Sequence, residues 1–213
     1  MIGPSDAASR EHSLPRGMQD DVPTPLASDA LAERLEIARA QTGDRVACHA
    51  LIRRHQRAVG SLLRRILAGS GLDVLTEDLA QETFLRAFAA LPRFDPDGPA
   101  RLSTWLLTIA TRLALQTIER RRLPAVRFDD DAGDARIEAD DLAPDRVRLG
   151  AANADAIGRL PPPHRAAFVL REYHGLDYAE IARSLDIDVG TVKSRLWRAR
   201  AALQRALEGT SDG

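Results

Sequence analysis

An all-α fold is predicted for this chain of 213 residues. Aromatic residues make up only 4% of the sequence, and Ala, Leu and Arg dominate it, which favours helices with aliphatic cores over sheets rich in aromatic and β-branched side chains. Apolar residues recur at helical spacing in several segments, and stretches rich in Pro, Gly or charge separate these segments. The length then fits two small helical domains joined by a linker.

The predicted domain boundaries lie where the apolar periodicity starts and stops. They give a flexible N-terminal tail (1–28), a first domain (29–122), an acidic linker (123–145), a second domain (146–208) and a short C-terminal tail (209–213). The linker is assigned from charge, because Phe128 to Asp145 contain eight carboxylates and one arginine. The overall net charge of -1 therefore conceals strong local segregation.

Helix signals fill both predicted domains. In the first domain we expect helices near 29–41, 44–67, 77–90 and 104–122, and in the second near 145–159, 164–173, 178–185 and 189–207. Ser28 or Asp29 is the expected cap of the first helix, with Thr76 and Ser103 as caps of the third and fourth. Leu31, Leu35 and Ala38 are expected to share the apolar face of the first helix. Pro161 to Pro163 are expected to break the chain between helices.

Several function classes are disfavoured by composition. No apolar run approaches the roughly 20 residues that span a bilayer, so we expect a cytoplasmic protein without membrane insertion. Cys48 is the only cysteine and is interpreted as a small core side chain, and the five histidines are scattered, with His55 expected at the surface. The sequence therefore predicts no enzyme, no cofactor and no metal site.

The segment from Tyr178 to Leu196 has the pattern of a helix-turn-helix. Its apolar positions place Ile181 and Ala182 on the inner face of the first helix, with Val192 and Leu196 anchoring the second. The second helix presents donors that suit phosphates and base edges in a DNA major groove. These candidate DNA-binding residues are Thr191, Lys193, Ser194, Arg195, Arg198 and Arg200.

This segment, together with the residues before it, resembles the distal DNA-binding domain of the extracytoplasmic function (ECF, group IV) sigma factors. The matching residues are Leu160, Pro161, Arg165, Phe168, Leu170, Tyr173, Gly175, Tyr178, Glu180, Ile181, Ala182 and Gly190 to Arg195. The resemblance extends from about Leu31 to Leu207, and the long middle segment of housekeeping sigma factors is missing. It implies sigma region 2 in the first domain, sigma region 4 in the second, and promoter-directed transcription initiation.

The string from Glu77 to Arg86 is similar to the family helix that docks on the clamp helices of the largest subunit of core RNA polymerase. Apolar anchors beside acceptors would suit a partner that carries arginine. The resemblance therefore assigns polymerase binding to Asp78, Leu79, Gln81, Glu82, Phe84 and Leu85.

The loop after this helix and the start of the next resemble the element that captures the melted strand of the proximal promoter box. Single-stranded bases need cations along the backbone and a pocket or stacking surface. The candidate residues are Arg93, Phe94, Arg101, Ser103, Thr104, Trp105 and Arg112. The register of Trp105 with Ile109 and Leu113 favours a core position over a stacking platform.

Two positions depart from the family pattern. Many relatives carry Asn and Asp where this chain has Arg112 and Gln116, which leaves the preferred promoter sequence and the detail of strand capture open. The family resemblance further implies an anti-sigma factor as partner, and the charge of the linker suggests a path through a basic polymerase channel. Two rival functions remain, a stand-alone helix-turn-helix regulator and a sigma-like decoy.

Overall fold

The computed structural model describes residues 25–122 and 154–208, which contain helices and no strand. The helices are α1 (Pro25–Gln41), α2 (Arg45–Leu67), α3 (Thr76–Ala90), α4 (Leu102–Arg122), α5 (described over 154–158), α6 (Pro162–Glu172), α7 (Tyr178–Leu185) and α8 (Val189–Glu208). The predicted all-α class is confirmed. The acidic linker, the C-terminal tail and nearly all of the N-terminal tail lie outside the described residues, and the domain boundaries stay a prediction.

Two predicted helix starts are wrong because prolines begin helices here. Helix α1 starts at Pro25, so Ser28 and Asp29 lie inside it and cannot cap it. Helix α6 starts at Pro162, within the proline stretch predicted to break the chain. Proline is tolerated in the first turn of a helix, because the N–H that it lacks has no intrahelical partner there.

The expected caps of α3 and α4 are also wrong. Thr76 is the first residue of α3, and its hydroxyl donates to the Asp73 carbonyl over 2.7 Å, which closes the short 3₁₀ turn before the helix. Helix α4 starts one residue before Ser103, because the Trp105 N–H donates to the Arg101 carbonyl over 3.0 Å. Neither hydroxyl side chain therefore serves as the N-cap of its helix.

Aspartates provide the clearest caps. Asp44 accepts from the backbone of α2, at 2.8 Å from Val46 N. Asp177 and Glu180 form a reciprocal capping box at the start of α7, with bonds of 2.7 and 2.8 Å. Such caps satisfy N–H groups that lack a partner in the first turn, so they fix where each helix begins.

Helix α2 supplies the centre of the core. Its fully buried residues include Val59, Leu62, Leu63, Ile66 and Leu67, and one continuous cluster of buried apolar side chains joins α1–α4 to α6–α8. The two helix groups therefore pack directly against each other. Helix α7 lies against α4, and α6 lies against α2 and α4.

The packing face of α1 differs from the predicted one. Leu31 and Leu35 are 58% and 59% exposed, whereas Ile37 is buried. Glu36 pairs with Arg54 of α2 over 3.3 Å, so the side of α1 that faces α2 is partly polar. The side chain of His55, expected at the surface, is buried at the same junction with its Nε2 atom 2.9 Å from Glu33.

Candidate functional site

The α7–α8 pair forms a helix-turn-helix with the predicted interior. Ile181, Val192 and Leu196 are buried in it, and Asp186 at the end of α7 adopts a left-handed conformation with φ 54°. The chain can turn sharply there because this conformation ends the helix and reverses its direction. The predicted inner face of the second helix is confirmed by this packing.

The candidate DNA-binding residues of α8 differ in exposure and in side-chain pairing. Lys193 and Arg198 are exposed, while Thr191, Ser194 and Arg195 are half-buried. Arg200 donates to Glu172 of α6 over 2.7 Å. This ion pair holds Arg200 toward the body of the domain.

Asp188, which sequence reasoning missed, lies at the start of α8. Its carboxylate accepts from the Thr191 hydroxyl over 2.6 Å and from the Thr191 N–H over 2.7 Å. These hydrogen bonds, that of the Thr191 side chain first, lower the pKa of Asp188. The signal was present in the sequence, because aspartate three residues before a helical position is a typical N-cap spacing. The carboxylate also places negative charge beside the predicted base-reading residues.

A shallow apolar groove lies between α2 and α3. Its lining residues are Ile52, Gln56, Ala80, Gln81, Phe84, Leu85 and Phe88. Leu85 is 67% exposed at its rim, and the side chains of Asp78 and Gln81 are exposed on the same helix. Polymerase binding by these residues stays a prediction.

The other predicted anchors of α3 have different surroundings. Phe84 is buried and stacks on Phe88 with the ring centroids 6.2 Å apart, so its side chain supports the groove from below. Leu79 is half-buried against the core, and Glu82 pairs with Arg86 over 2.6 Å. Helical periodicity could not separate these positions, because α3 has apolar contacts on more than one side.

A second pocket lies in the loop between α3 and α4. Arg93, Phe94 and Trp105 line it together with Asp95, Gly98 and Pro99 among others. The Phe94 and Trp105 rings are 5.0 Å apart, and Trp105 is only half-buried against the core. Trp105 therefore both packs on the core and borders the pocket.

The pocket loop is held in shape by hydrogen bonds. The Asp95 side chain accepts from Asp97 N over 2.9 Å. Gln41 at the end of α1 donates to the carbonyls of Leu91 and Phe94, over 3.1 and 2.7 Å. Sequence reasoning missed Gln41, because the contact joins residues far apart in the chain.

The remaining strand-capture candidates lie where α4 meets the second helix group. The Thr104 hydroxyl donates to Glu180 over 3.2 Å, and Thr108 and Ser184 share a hydrogen bond of 2.7 Å. Arg112 donates through Nε to the Ser184 carbonyl over 3.0 Å and through a terminal nitrogen to the Arg183 carbonyl over 2.8 Å. These positions recur once per helical turn, so one stripe of α4 faces α7.

A second arginine joins the helix groups on the other side of the interface. Arg165 of α6 is 1% exposed, and it donates to the carbonyl of Ala68, at the end of α2, and to that of Gly158 over 2.6 Å. Gly69 has φ +68°, and a side chain there would overlap the Gly158 carbonyl. The two backbones therefore approach each other closely at this point.

His174 lies in the turn between α6 and α7. It lines the crevice that the α6–α7 turn forms with α2 and α4, where Arg101 and Ser103 also lie. Burial, with a smaller contribution from the charge of Arg65, lowers the pKa of His174 to about 4. Neutral His174 is therefore the form that fits this crevice near pH 7.

Comparison with protein families matches both helix groups. Residues 51–123 match Sigma-70 region 2, and residues 154–203 match Sigma-70 region 4. The chain is 38% identical to the ECF RNA polymerase sigma factor SigE of Mycolicibacterium smegmatis over 76% of its own length, an alignment that spans 63% of that relative. It is 34% identical to the RNA polymerase sigma-H factor of Pseudomonas aeruginosa, covering 81% of this chain and 92% of the relative. It is 33% identical to the ECF RNA polymerase sigma-E factor of Escherichia coli K12, covering 85% and 97%.

Two solved structures share the fold. The structure of CnrH in complex with the cytosolic domain of CnrY has a TM-score of 0.60 and 27% identity, and covers 84% of this chain and 98% of that one. The complex of the sigma factor RpoE with the anti-sigma factor NepR from Bartonella quintana has a TM-score of 0.53 and 23% identity, covering 75% and 97%.

Helix packing and these matches define a helical protein with two sigma domains separated by a linker. The chain belongs to the ECF family of RNA polymerase sigma factors. No helix in the described part of the chain is long and apolar enough to cross a membrane.

Proposed function

We propose that this chain, as a group IV sigma factor, binds core RNA polymerase through the α2–α3 groove and directs it to specific promoters. The exposed side chain of Leu85 at the rim of the groove carries this proposal. An apolar side chain that is left in water beside exposed acceptors costs free energy unless a partner covers it. The proposed partner is the clamp helices of the largest polymerase subunit, as the family resemblance implies.

Run-off transcription with purified core polymerase over a library of promoter sequences tests the proposal. We expect specific transcripts from the wild type. A Leu85→Ala, Gln81→Ala variant should lose these transcripts because it no longer binds the polymerase. Leu85 and Gln81 suit this test better than Phe84, because truncating the buried Phe84 ring would also destabilise the fold.

Val74→Ala provides a matched control. Val74 is 74% exposed and does not line the groove, so its truncation removes similar apolar surface elsewhere. Equal transcription by the groove variant and the Val74 variant would contradict the assigned surface. Absence of any polymerase binding by the wild type would instead favour a stand-alone regulator or a decoy.

We further propose that α8 reads the distal promoter box as duplex DNA. Lys193 and Arg198 are exposed for phosphate contacts, which would give salt-dependent affinity, whereas Thr191, Ser194 and Arg195 lie nearer the start of the helix. An Arg195→Ala variant is expected to lose sequence preference, and Arg205→Ala, near the end of α8, is its control. Equal preference in both variants would argue against base reading by Arg195.

The pocket beside Phe94 and Trp105 is proposed to take a flipped base of the melted proximal box. Its half-buried aromatic rings offer a stacking surface, and exposed Arg93 lies at its edge. Loss of strand binding on truncation of Trp105, with the fold intact, would support this use of the pocket.

An anti-sigma factor is proposed as a further partner. The family resemblance implies one, and the structural neighbour RpoE is bound to the anti-sigma factor NepR. Titration of purified candidates against polymerase binding would test this partner, because an anti-sigma factor should displace the chain from core polymerase.

A further inference from the structure

Thr104, Thr108 and Arg112 form the stripe of α4 that faces α7. This α4 stripe contacts α7 in the structure and also contains residues assigned to strand capture. Thr104 and Arg112 belong to the residues assigned to strand capture, yet both side chains hydrogen-bond to α7. Thr104 is buried by this packing, and Ser184 on the opposite side is 1% exposed. A nucleic acid strand cannot occupy this stripe while α7 covers it.

The contact made by Arg112 has a clear physical basis. Arg183 and Ser184 belong to the last turn of α7, where backbone carbonyls lack intrahelical N–H partners and the helix dipole is negative. The guanidinium of Arg112 donates to both carbonyls at once, over 2.8 and 3.0 Å. A shorter polar side chain at this position, such as Asn, offers no planar pair of donors with this reach.

The donor and the acceptor can be assigned in the hydrogen bond between the Thr108 and Ser184 hydroxyls, which lies next to Arg112. Thr108 donates its proton to the Thr104 carbonyl over 2.8 Å, so Ser184 is the donor in the bond of 2.7 Å between the two side chains. Ser184 lies in the helix-turn-helix and belongs to none of the strand-capture candidates. A change at Ser184 therefore alters the closed contact without removing a proposed DNA ligand.

We propose that the α4 stripe has two mutually exclusive occupants, α7 of the same chain and single-stranded DNA, and that Arg112 holds the chain in the closed form. This inference rests on the proposed strand-capture function. It assigns to Arg112 a role in closing the chain in addition to any contact with a strand. When open and closed molecules are in equilibrium, the apparent affinity for a strand is the intrinsic affinity of the open form multiplied by the fraction of open molecules.

The test uses the full chain and a labelled single-stranded DNA of random sequence at fixed salt, with fluorescence anisotropy for affinity and small-angle X-ray scattering for opening. Ser184→Ala is expected to raise strand affinity by about threefold to tenfold, the effect of losing one hydrogen bond from a closed state that dominates. Arg112→Gln is expected to raise it as well, although it removes a positive charge. Arg120→Gln, which changes the same charge further along the exposed face of α4, is the control and should weaken binding or leave it unchanged.

A reversible disulfide between α4 and α7 tests the proposal in a second way, which does not depend on a variant that binds the strand more tightly. Thr108→Cys with Ser184→Cys, in a Cys48→Ser background, places two sulfur atoms where the hydroxyl oxygens are 2.7 Å apart. We expect the oxidised protein to lose strand binding and a reducing agent to restore it. Oxidised and reduced protein that bind the strand equally would overturn the proposal.

The remaining outcomes also decide the question. Weaker binding by Arg112→Gln together with no change in Ser184→Ala would make Arg112 a DNA ligand only and overturn the proposed closure. If scattering shows that a variant opens but the variant still binds no strand, then α7 and single-stranded DNA do not compete for the α4 stripe, and the proposal is overturned. Failure of the proposed sigma activity is a distinct result: the wild type would then give no transcript with core polymerase, whatever the outcome of the strand-binding experiments.

Discussion

Arg112 and Arg165 both donate hydrogen bonds from one helix group to the other, and their surroundings differ. Arg165 is 1% exposed, and its guanidinium lies between the end of α2 and the α5–α6 turn. Arg112 is exposed and reaches the end of α7 from the surface of α4. Both donate to backbone carbonyls at helix ends, but only Arg112 can exchange this contact for water without leaving a buried group unsatisfied. We infer that Arg165 contributes mainly to stability, whereas Arg112 contributes mainly to opening and closing.

Removing Arg165 is expected to have the largest effect. Arg165→Ala leaves a cavity and takes donors from the carbonyls of Ala68 and Gly158, so we expect a loss of about 3–5 kcal/mol in the free energy of unfolding. For a chain of this size that corresponds to a decrease of about 10 °C in Tm. Thermal unfolding followed by circular dichroism measures it.

Arg159→Ala is the control for this variant. Arg159 is exposed and pairs with Asp155 over 2.6 Å within one helical turn, an interaction worth less than about 1 kcal/mol. A similar Tm for both variants would show that burial of Arg165 contributes little.

Gly69→Ala is expected to have the next largest effect, and Gly71→Ala isolates its cause. Both glycines have a positive φ, +68° and +69°, so both substitutions strain the backbone similarly. Only the side chain at position 69 would meet a neighbour, the Gly158 carbonyl. We expect Gly69→Ala to cost about 1–3 kcal/mol more than Gly71→Ala in chemical unfolding. Equal costs would mean that the helix groups are not held together at this point.

Acidification is expected to weaken the closed arrangement through His174. Its pKa is about 4 in the folded chain and about 6.5 when unfolded, so between these values the unfolded chain binds more protons. The free energy of unfolding therefore falls as the pH decreases from about 6.5 to about 4. The charge of Arg65 opposes protonation of His174, and the charged side chains that line the same crevice are those of Arg101, Asp177 and Glu180.

A His174→Gln variant should show a smaller loss of Tm over the same pH range, because glutamine does not titrate. His49→Gln is the control, since His49 is exposed on α2. Parallel pH profiles for the wild type and His174→Gln would exclude His174 as the cause.

Arg112→Ala is expected to have the smallest effect on stability, less than about 1 kcal/mol, because water can replace the exposed guanidinium at both carbonyls. The variant should nevertheless expand the molecule in small-angle X-ray scattering. A large decrease in Tm with no expansion would make the two arginine contacts equivalent and remove the contrast between them.

Local pattern determined most of the fold and part of the site. Apolar spacing gave the correct class, most helix positions within the described residues and the interior of the helix-turn-helix, because buried positions such as Val192 and Leu196 follow from helix geometry. The same spacing failed for α1, where Leu31 and Leu35 remain exposed. Periodicity indicates that one face of a helix is apolar, but it does not indicate which neighbouring element, if any, will cover that face.

The sequence by itself determined the helical class, the two sigma domains and the helix that carries the candidate polymerase contacts. Tertiary structure alone decided that Phe84 supports the groove while Leu85 borders it, and that Gln41 holds the pocket loop. It also decided the pairing of Arg112 with α7 and of Arg165 with α2. These contacts join residues far apart in the chain, and their geometry depends on how whole helices pack, which local propensity does not encode.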